Sequence, residues 1–296
     1  VIDMIRIESE QIQVDIDELG AQISSIKLKS KDLEFLWQKD PQYWTSSAPV
    51  PFPIIGRLNE NKTLFDGKEY SMRSNGIIRY EQIPLVSREK NQVEFLFTNT
   101  SKTQSNYPYE CRVKLNFQVE DNKLSVTATI FNDDEKNLYY NYAGHPGFRI
   151  PLFEGENAND YYIEFDSNEH AFIYSMASTG QLLPNKEQFF ENERRFFLRK
   201  ELFKNEAIAF VKPKSTSIFL KNIRNCHEVK VGFDGFDNLA LWTPYNKDKE
   251  LCLICIEPWI GHSDFKDYSG EFKNRDGVSF VEPGQQKVYT YTIEIK

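Results

Sequence analysis

Apolar and polar residues alternate with a period of two in many segments of the chain. The clearest runs lie at residues 12–16, 93–97 and 287–295, the last reading Lys-Val-Tyr-Thr-Tyr-Thr-Ile-Glu-Ile. Because successive side chains of a strand point to opposite faces, this alternation is typical of half-buried β-strands. Shorter runs predict further strands at residues 113–117, 162–165, 217–220, 229–233, 239–242 and 251–257.

The segment from residue 111 to residue 131 contains two alternating runs. They are separated by Glu-Asp-Asn-Lys at residues 120–123, and an Asp-Asn pair suits a tight turn. We therefore predict a β-hairpin here. Helical periodicity is scarce: the phenylalanines of residues 186–205 are spaced too irregularly for a long amphipathic helix, so one or two short helical turns are expected there.

Strands dispersed along the chain without a βαβ rhythm favour an all-β fold, a large antiparallel β-sandwich with few short helical turns. No internal repeat or low-complexity linker marks a boundary, so we expect a single domain over residues 1–296. The longest irregular segment, residues 40–55, contains four prolines, and loops of that length usually carry function or cover a site.

The amino-acid composition of the chain restricts the classes of molecule that it is expected to bind. The formal net charge of −8 argues against nucleic acid and against an anionic membrane surface, and favours a small neutral substrate. The 23 Phe, 15 Tyr and 4 Trp residues favour strands and supply ring faces for stacking against sugars. Four cysteines in so long a chain do not resemble a disulfide framework, and no apolar stretch is long enough to span a bilayer. We expect a cytoplasmic protein.

Glu257 is an ionisable residue at the end of the apolar run of residues 251–256. Burying a carboxylate costs several kcal/mol unless the group is paired, hydrogen-bonded or placed in a cleft. Pro258 restricts Glu257 to an extended conformation. Two interpretations follow: a functional carboxylate, or a structural ion pair with a buried arginine such as Arg57.

His145 lies in Tyr-Ala-Gly-His-Pro-Gly-Phe at residues 142–148, where two glycines and a proline constrain the backbone. This favours a positioned imidazole for proton transfer, with a histidine that caps a turn as the alternative. One acid and one base on constrained backbone suit a reaction that needs simultaneous proton donation and removal.

Other candidates for chemistry are weaker. Cys252 and Cys255 would face opposite sides of a strand, and without a second cysteine pair we interpret them as core residues. His262 has neither a G-x-S-x-G elbow nor an H-E-x-x-H helix beside it, and His170 and His227 are predicted to be surface residues. No glycine-rich phosphate loop follows a strand, so a nucleotide cofactor is not expected.

Four motifs together resemble the aldose 1-epimerase (galactose mutarotase) family, most closely its bacterial mutarotase-related branch. They are Pro-Phe-Pro-Ile-Ile-Gly-Arg-Leu at 51–58, Gly-His-Pro-Gly-Phe at 144–148, Leu-Trp-Thr-Pro at 241–244 and Cys-Ile-Glu-Pro-Trp at 255–259. Residues 18–23 also resemble the first hairpin of that family, so the resemblance spans nearly the full chain.

The resemblance implies a β-supersandwich with an open sugar cleft. It implies an isomerase that interconverts the α and β anomers of a free aldose, with no cofactor and no metal. On this basis Glu257 matches the general base at the anomeric hydroxyl, and His145 matches the general acid at the ring oxygen. Arg57 matches the arginine that hydrogen-bonds sugar oxygens, and Trp242 is placed to line the cleft.

One departure concerns Asn75 and Arg79, which we also expect to bind substrate. The chain reads Asn-Gly-Ile-Ile-Arg at 75–79, where the family usually has His-Gly-Phe-Ala-Arg. An amide holds a hydroxyl but does not transfer a proton as histidine does. Altered specificity or a reduced rate is the expected result, and complete loss of activity the alternative.

Two alternative functions follow. Arg57, Arg79 and Arg149 near the motifs motivate a hexose-6-phosphate mutarotase. The Asn75 substitution motivates a non-catalytic sugar-binding protein that kept the fold.

Overall fold

Strands dominate residues 4–296, the part of the chain that the computed structural model describes. In chain order the strands are β1 (Ile5–Glu8), β2 (Ile12–Asp17), β3 (Gln22–Leu28), β4 (Leu33–Glu34), β5 (Lys62–Phe65), β6 (Lys68–Ser71), β7 (Leu85–Arg88), β8 (Gln92–Thr98), β9 (Cys111–Glu120), β10 (Lys123–Asn132), β11 (Leu138–Tyr140), β12 (Tyr142–Ala143), β13 (Gly147–Arg149), β14 (Tyr161–Glu169), β15 (Phe172–Met176), β16 (Leu182–Gln188), β17 (Glu193–Phe197), β18 (Ala207–Val211), β19 (Ser217–Asn222), β20 (Glu228–Gly232), β21 (Asn238–Trp242), β22 (Leu253–Ile260), β23 (Ser279–Val281) and β24 (Gln286–Ile295).

Helical structure is confined to short turns. The α-helix α1 covers Ser101–Gln104, and 3-10 turns cover Lys29–Lys31, Asn59–Asn61, Ile78–Tyr80, Ala158–Asp160, Lys200–Phe203 and Phe272–Asn274. Within residues 4–296, no helix has the length and apolar character needed to cross a membrane.

Two large antiparallel sheets form the body of the fold. One has nine strands in the order β17-β14-β19-β20-β24-β10-β9-β8-β7. The other has seven strands in the order β12-β22-β21-β18-β15-β16, with β13 also paired to β22. Phe117 of the first sheet and Leu241 and Ile256 of the second belong to one continuous buried cluster. This packing of sheet against sheet confirms the predicted antiparallel β-sandwich.

Most predicted strands are present, and so is the predicted hairpin. β9 and β10 pair in register from Glu120 opposite Lys123, and Asp121 in the turn has a positive φ of 51°. Of the one or two helical turns expected in residues 186–205, one is present at Lys200–Phe203, but the end of β16 and all of β17 also lie in this segment and were not predicted. Aromatic packing of Phe189 and Phe196 against Phe210 of β18 explains why sheet pairing prevails over the weak local pattern.

The strand that carries Glu257 does not end there, contrary to the prediction: β22 continues through Pro258 to Ile260. Its neighbour on one side is split into β12 and β13, and residues 144–146 cross the gap between them. In the gap, the Ile256 N–H donates to the Pro146 carbonyl at 3.1 Å, and the Gly144 N–H donates to the Pro258 carbonyl at 3.0 Å. Pro258 is tolerated because it lies beside this interruption rather than inside a complete ladder.

Candidate active site

A cavity of about 630 Å³ opens beside the gap in the seven-stranded sheet. Its volume is typical of small-molecule sites. All six residues predicted from the sequence to form the site line it: Arg57, Asn75, Arg79, His145, Trp242 and Glu257. Motifs separated by as many as two hundred residues are thus brought to one place by the fold.

Glu257 lies at the cavity with only 3% of its surface exposed. Its Oε1 atom is 3.1 Å from Nε2 of His145, and its Oε2 atom accepts a hydrogen bond from Nε1 of Trp259 at 3.0 Å. Arg57 is exposed and forms no salt bridge with Glu257. The structural alternative of a Glu257–Arg57 pair is therefore not formed, and the ionisable partner of Glu257 is His145.

The imidazole of His145 lies between two aromatic rings, and the glycines on either side of His145 are closely packed. Trp44 stacks on the imidazole with ring centroids 5.4 Å apart, and Trp242 meets its edge at 5.8 Å. A Cβ on Gly144 would lie 2.6 Å from the Tyr291 ring, and a Cβ on Gly147 would lie 2.8 Å from the Trp44 ring. The flanking glycines are thus required by close approach rather than by an unusual φ.

Burial away from solvent favours the neutral forms of both Glu257 and His145. Burial raises the pKa of Glu257 to about 8, although the Trp259 hydrogen bond opposes the shift. Burial also lowers the pKa of His145 to about 3, assisted by the positive charge of Arg79. Since the two groups are in hydrogen-bond contact, they titrate as a pair. Near neutral pH the pair holds one proton, which either residue can carry.

Asn75 has a role in the backbone as well as at the cavity. Its φ is +60°, in the left-handed region that asparagine adopts more readily than most residues. Its Oδ1 accepts a hydrogen bond from the Gly56 N–H at 2.7 Å, while its Nδ2 has no hydrogen-bond partner in residues 4–296. The amide group therefore keeps a donor for a ligand.

Arg79 places a cation near the pair. Its Nη2 donates to Oγ of Ser46 at 3.0 Å, and its guanidinium lies 5.1 Å from the Tyr80 ring centroid. Within residues 4–296 no carboxylate forms a salt bridge with it, and burial lowers its pKa. Several donors of the guanidinium thus remain available to an oxygen-rich ligand.

Sequence reasoning missed several residues of the cavity wall. Trp44 comes from the long proline-containing loop, whose length was a signal, although the position of the ring was not predictable. Trp259 lies two residues after Glu257 on the same strand face, so its contact follows from strand alternation. Residues 177–180 and 204–206 also line the cavity and carry no motif.

Other sequence predictions have mixed outcomes. Cys255 is buried and Cys252 is half-buried, and both are free thiols, as expected of core positions. His170 is exposed, as predicted. The surface prediction for His227 is wrong: its ring packs near Phe35 and Phe153, and its Nδ1 is 2.9 Å from the carbonyl of Lys296. Lys296 and these rings cover a histidine that the polarity of the neighbouring sequence had suggested was exposed.

Two further residues lie apart from the cavity wall. His262 is buried beside Phe265, and its Nε2 is 3.2 Å from a carboxylate oxygen of Asp276. Arg149 donates to the backbone carbonyl of Glu34 at 3.3 Å and does not line the cavity, so its expected contribution to an anion site is not supported.

Comparison with known proteins identifies the family of the chain. The family model described as Aldose 1-epimerase matches residues 3–275. The chain belongs to the aldose 1-epimerase family. It is 32% identical over 299 residues to the plasmid-encoded protein LacX of Lactococcus lactis subsp. lactis, covering 98% of this chain and 99% of LacX. The family resemblance inferred from the four motifs is confirmed.

Two solved structures share the fold of this chain. A galactose mutarotase related enzyme from Lactobacillus acidophilus superposes with a TM-score of 0.93 at 27% identity, covering 99% of this chain and 97% of that chain. A galactose mutarotase-like protein from Lactobacillus casei ATCC 334 has a TM-score of 0.93 at 22% identity, covering 99% and 100%. The predicted galactose mutarotase-like fold is confirmed.

Proposed function

We propose that the protein is a cofactor-independent mutarotase that interconverts the α and β anomers of a free hexose by acid–base ring opening. The direct His145–Glu257 contact at the wall of a cavity of sugar-accommodating size carries this proposal. Family membership supports epimerase chemistry in general, and the pair supplies the proton donor and acceptor that this chemistry needs.

Ring opening needs one proton removed and one proton added. Glu257, as the carboxylate, takes the proton of the anomeric hydroxyl, while the His145 imidazolium gives its proton to the ring oxygen. The bond between C1 and the ring oxygen breaks and C1 becomes an aldehyde carbon. Glu257 is then neutral and so is His145.

The pair carries one proton both before and after ring opening. Before it the proton is on His145, and after it the proton is on Glu257. Rotation about C1–C2 presents the other face of the aldehyde, and the reverse transfers close the ring as the opposite anomer. Because burial raises the pKa of Glu257 and lowers that of His145, the shared proton rests on Glu257 in the free pair; it moves to His145 before ring opening, and Glu257 is protonated again by the anomeric hydroxyl. No proton from outside the pair is required for a full cycle.

The remaining predicted residues are assigned to substrate positioning. Nδ2 of Asn75 and the guanidinium groups of Arg79 and Arg57 offer donors to sugar hydroxyls. The Trp242 and Trp44 rings offer apolar faces to the sugar ring. Correct positioning of this kind aligns the ring oxygen with His145 and the anomeric hydroxyl with Glu257.

Anomer exchange measured by NMR on freshly dissolved galactose and glucose tests this proposal. The wild-type protein should equilibrate the anomers faster than buffer alone, and Glu257→Gln and His145→Asn should each remove the acceleration. A wild-type rate equal to that of buffer across a panel of aldoses, combined with measurable sugar binding, would instead identify a non-catalytic sugar-binding protein.

A second candidate function, a hexose-6-phosphate mutarotase, is favoured by the charge of the cavity wall. Arg57, Arg79 and Lys204 line the cavity, and none of them forms a salt bridge within residues 4–296, although the chain as a whole carries a net charge of −8. Unpaired cations in a cleft attract an anionic ligand.

Comparison of glucose with glucose 6-phosphate tests this candidate. A phosphorylated substrate should then have a lower KM, and Lys204→Gln should reduce this preference. Arg149→Gln is the matched control, because that arginine does not line the cavity. Equal KM values for the two sugars would exclude a hexose-6-phosphate mutarotase without affecting the mutarotase proposal.

We also propose that the protein is cytoplasmic, which its four free cysteines support.

A further inference from the structure

A third side chain with a metal-binding atom lies beside the His145–Glu257 pair. Cys255 precedes Glu257 by two residues on β22, so both side chains project from the same face of the strand. Cys255 is paired in register with Gly147, which follows His145 by two residues. The ligand atoms of His145, Cys255 and Glu257 all lie within 4.8 Å of one another.

These three side chains offer one nitrogen, one sulfur and one oxygen ligand. Zn²⁺ accepts all three kinds of ligand, at distances of about 2.0–2.3 Å and in tetrahedral geometry, which places neighbouring ligand atoms roughly 3.5 Å apart. The Nε2–Oε1 separation of 3.1 Å is already close to that value, and the full cluster needs adjustment of about an ångström.

Burial and charge also suit a divalent cation. All three residues are buried, and Nε2 of His145 already points at the Glu257 carboxylate, while its Nδ1 has no hydrogen-bond partner within residues 4–296. Binding would release the thiol proton of Cys255 and any proton held by the pair to the solvent. A thiolate and a carboxylate would then neutralise the 2+ charge, and the adjoining cavity leaves a fourth position for water.

We propose that His145, Cys255 and Glu257 form an inhibitory Zn²⁺ site within the active-site pair. Zinc bound there occupies both proton-transfer groups, so it competes with the sugar and stops proton exchange. The inhibition rests on the proposed mutarotase function, whereas metal binding itself does not. The site is distinct from a resident cofactor, because the ring-opening chemistry proceeds through the metal-free pair.

Cobalt(II) titration tests metal binding without any assay of activity. Cobalt bound to a thiolate gives a charge-transfer absorption band in the near ultraviolet, and added Zn²⁺ should abolish this band by displacement. The protein used would carry Cys226→Ser, since that exposed thiol could bind metal by itself. The band should appear in this background and persist with Cys252→Ser, the matched control.

Cys255→Ser should remove the band and weaken Zn²⁺ binding by at least 10–100-fold, the loss that follows removal of even an outer-shell partner. Cys255→Ala serves as a second variant, with circular dichroism to verify folding, because Cys255 is fully buried. If the mutarotase proposal also holds, Zn²⁺ should inhibit the wild type and EDTA should restore it, with Cys255→Ser resistant.

The proposed zinc site would be contradicted if the thiolate band persisted in folded Cys255→Ser or Cys255→Ala. It would also be contradicted if the Cys226→Ser background showed no band. A band without inhibition in a catalytically active protein would overturn the inhibitory role. A protein without mutarotase activity that still shows the Cys255-dependent band would contradict the proposed function alone.

Discussion

Nε2 of His145 lies 3.1 Å from Oε1 of Glu257, and both side chains are almost completely shielded from water. Trp44 and Trp242 exclude solvent from the imidazole, and Trp259 holds the other oxygen of the carboxyl group. This arrangement makes the two residues one proton-holding unit.

The pH dependence of kcat/KM should follow the one-proton state of the pair. Above the pKa of Glu257, about 8, the pair loses its proton and no donor remains for the ring oxygen. Below the pKa of His145, about 3, a second proton blocks the base. We therefore expect a plateau through neutral pH and a decline above about pH 8.

This profile is measured as the anomer-exchange rate from about pH 5 to about pH 10, with the buffer-catalysed rate subtracted at each pH and EDTA present throughout. A rate that rises through pH 8, as expected if Glu257 had first to lose its proton to solvent, would contradict the shared-proton description.

Glu257→Gln should stabilise the fold at alkaline pH. The folded protein binds the Glu257 proton more tightly than the unfolded chain, because the pKa is raised from 4.5 to about 8. The stability that this group contributes is present below pH 4.5 and is lost as pH rises through about 8, a change on the order of a few kcal/mol. Glutamine, which has no proton to lose, avoids that loss.

Thermal unfolding at about pH 6 and about pH 9 tests this prediction. The Tm of Glu257→Gln relative to wild type should increase between the two pH values, whereas Glu120→Gln, at an exposed position, should show no such trend. A large destabilisation of Glu257→Gln at both pH values would favour a structural ion pair instead.

Asn75 should act mainly through its unpaired donor. Asn75→Asp keeps the oxygen that accepts the Gly56 N–H but removes Nδ2, so KM should rise roughly 3- to 10-fold, the effect of one net hydrogen bond. Asn75→Ala also loses the Gly56 contact and should additionally lower Tm. Steady-state kinetics and thermal unfolding separate the two effects; an Asn75→Asp KM equal to wild type would remove Asn75 from the substrate-binding set.

The strands were predicted well because each one carries a period-two alternation of apolar and polar residues in its own sequence. It failed at β22, where Pro258 reads as a strand end, because the interruption that accommodates a proline belongs to a different segment, residues 144–146. It failed at β16 and β17 because aromatic contacts with β18 are long-range. The prediction of a single domain over residues 1–296 stays a prediction.

The ionisable residues of the site could be predicted from their residue types and sequence context. The residues that form the rest of the cavity wall could not, because the fold brings them there. His145 and Glu257 were identifiable because an ionisable residue within constrained or apolar sequence is unusual. The positions of Trp44 and of residues 177–180 were not, because loop closure over the cavity depends on contacts between segments far apart in the chain. The burial of His227 was missed for the same reason.

We propose that His145 and Glu257 act as one proton-exchanging unit, and a double-mutant cycle measures the coupling between them. Anomer-exchange NMR would give kcat/KM for wild type, Glu257→Gln, His145→Asn and the double variant. Each single variant should lose roughly 10²- to 10⁴-fold, and the double variant should lose no more than the worse single variant. Multiplicative losses, or a single variant that retains wild-type activity, would show that the two residues do not act as one unit.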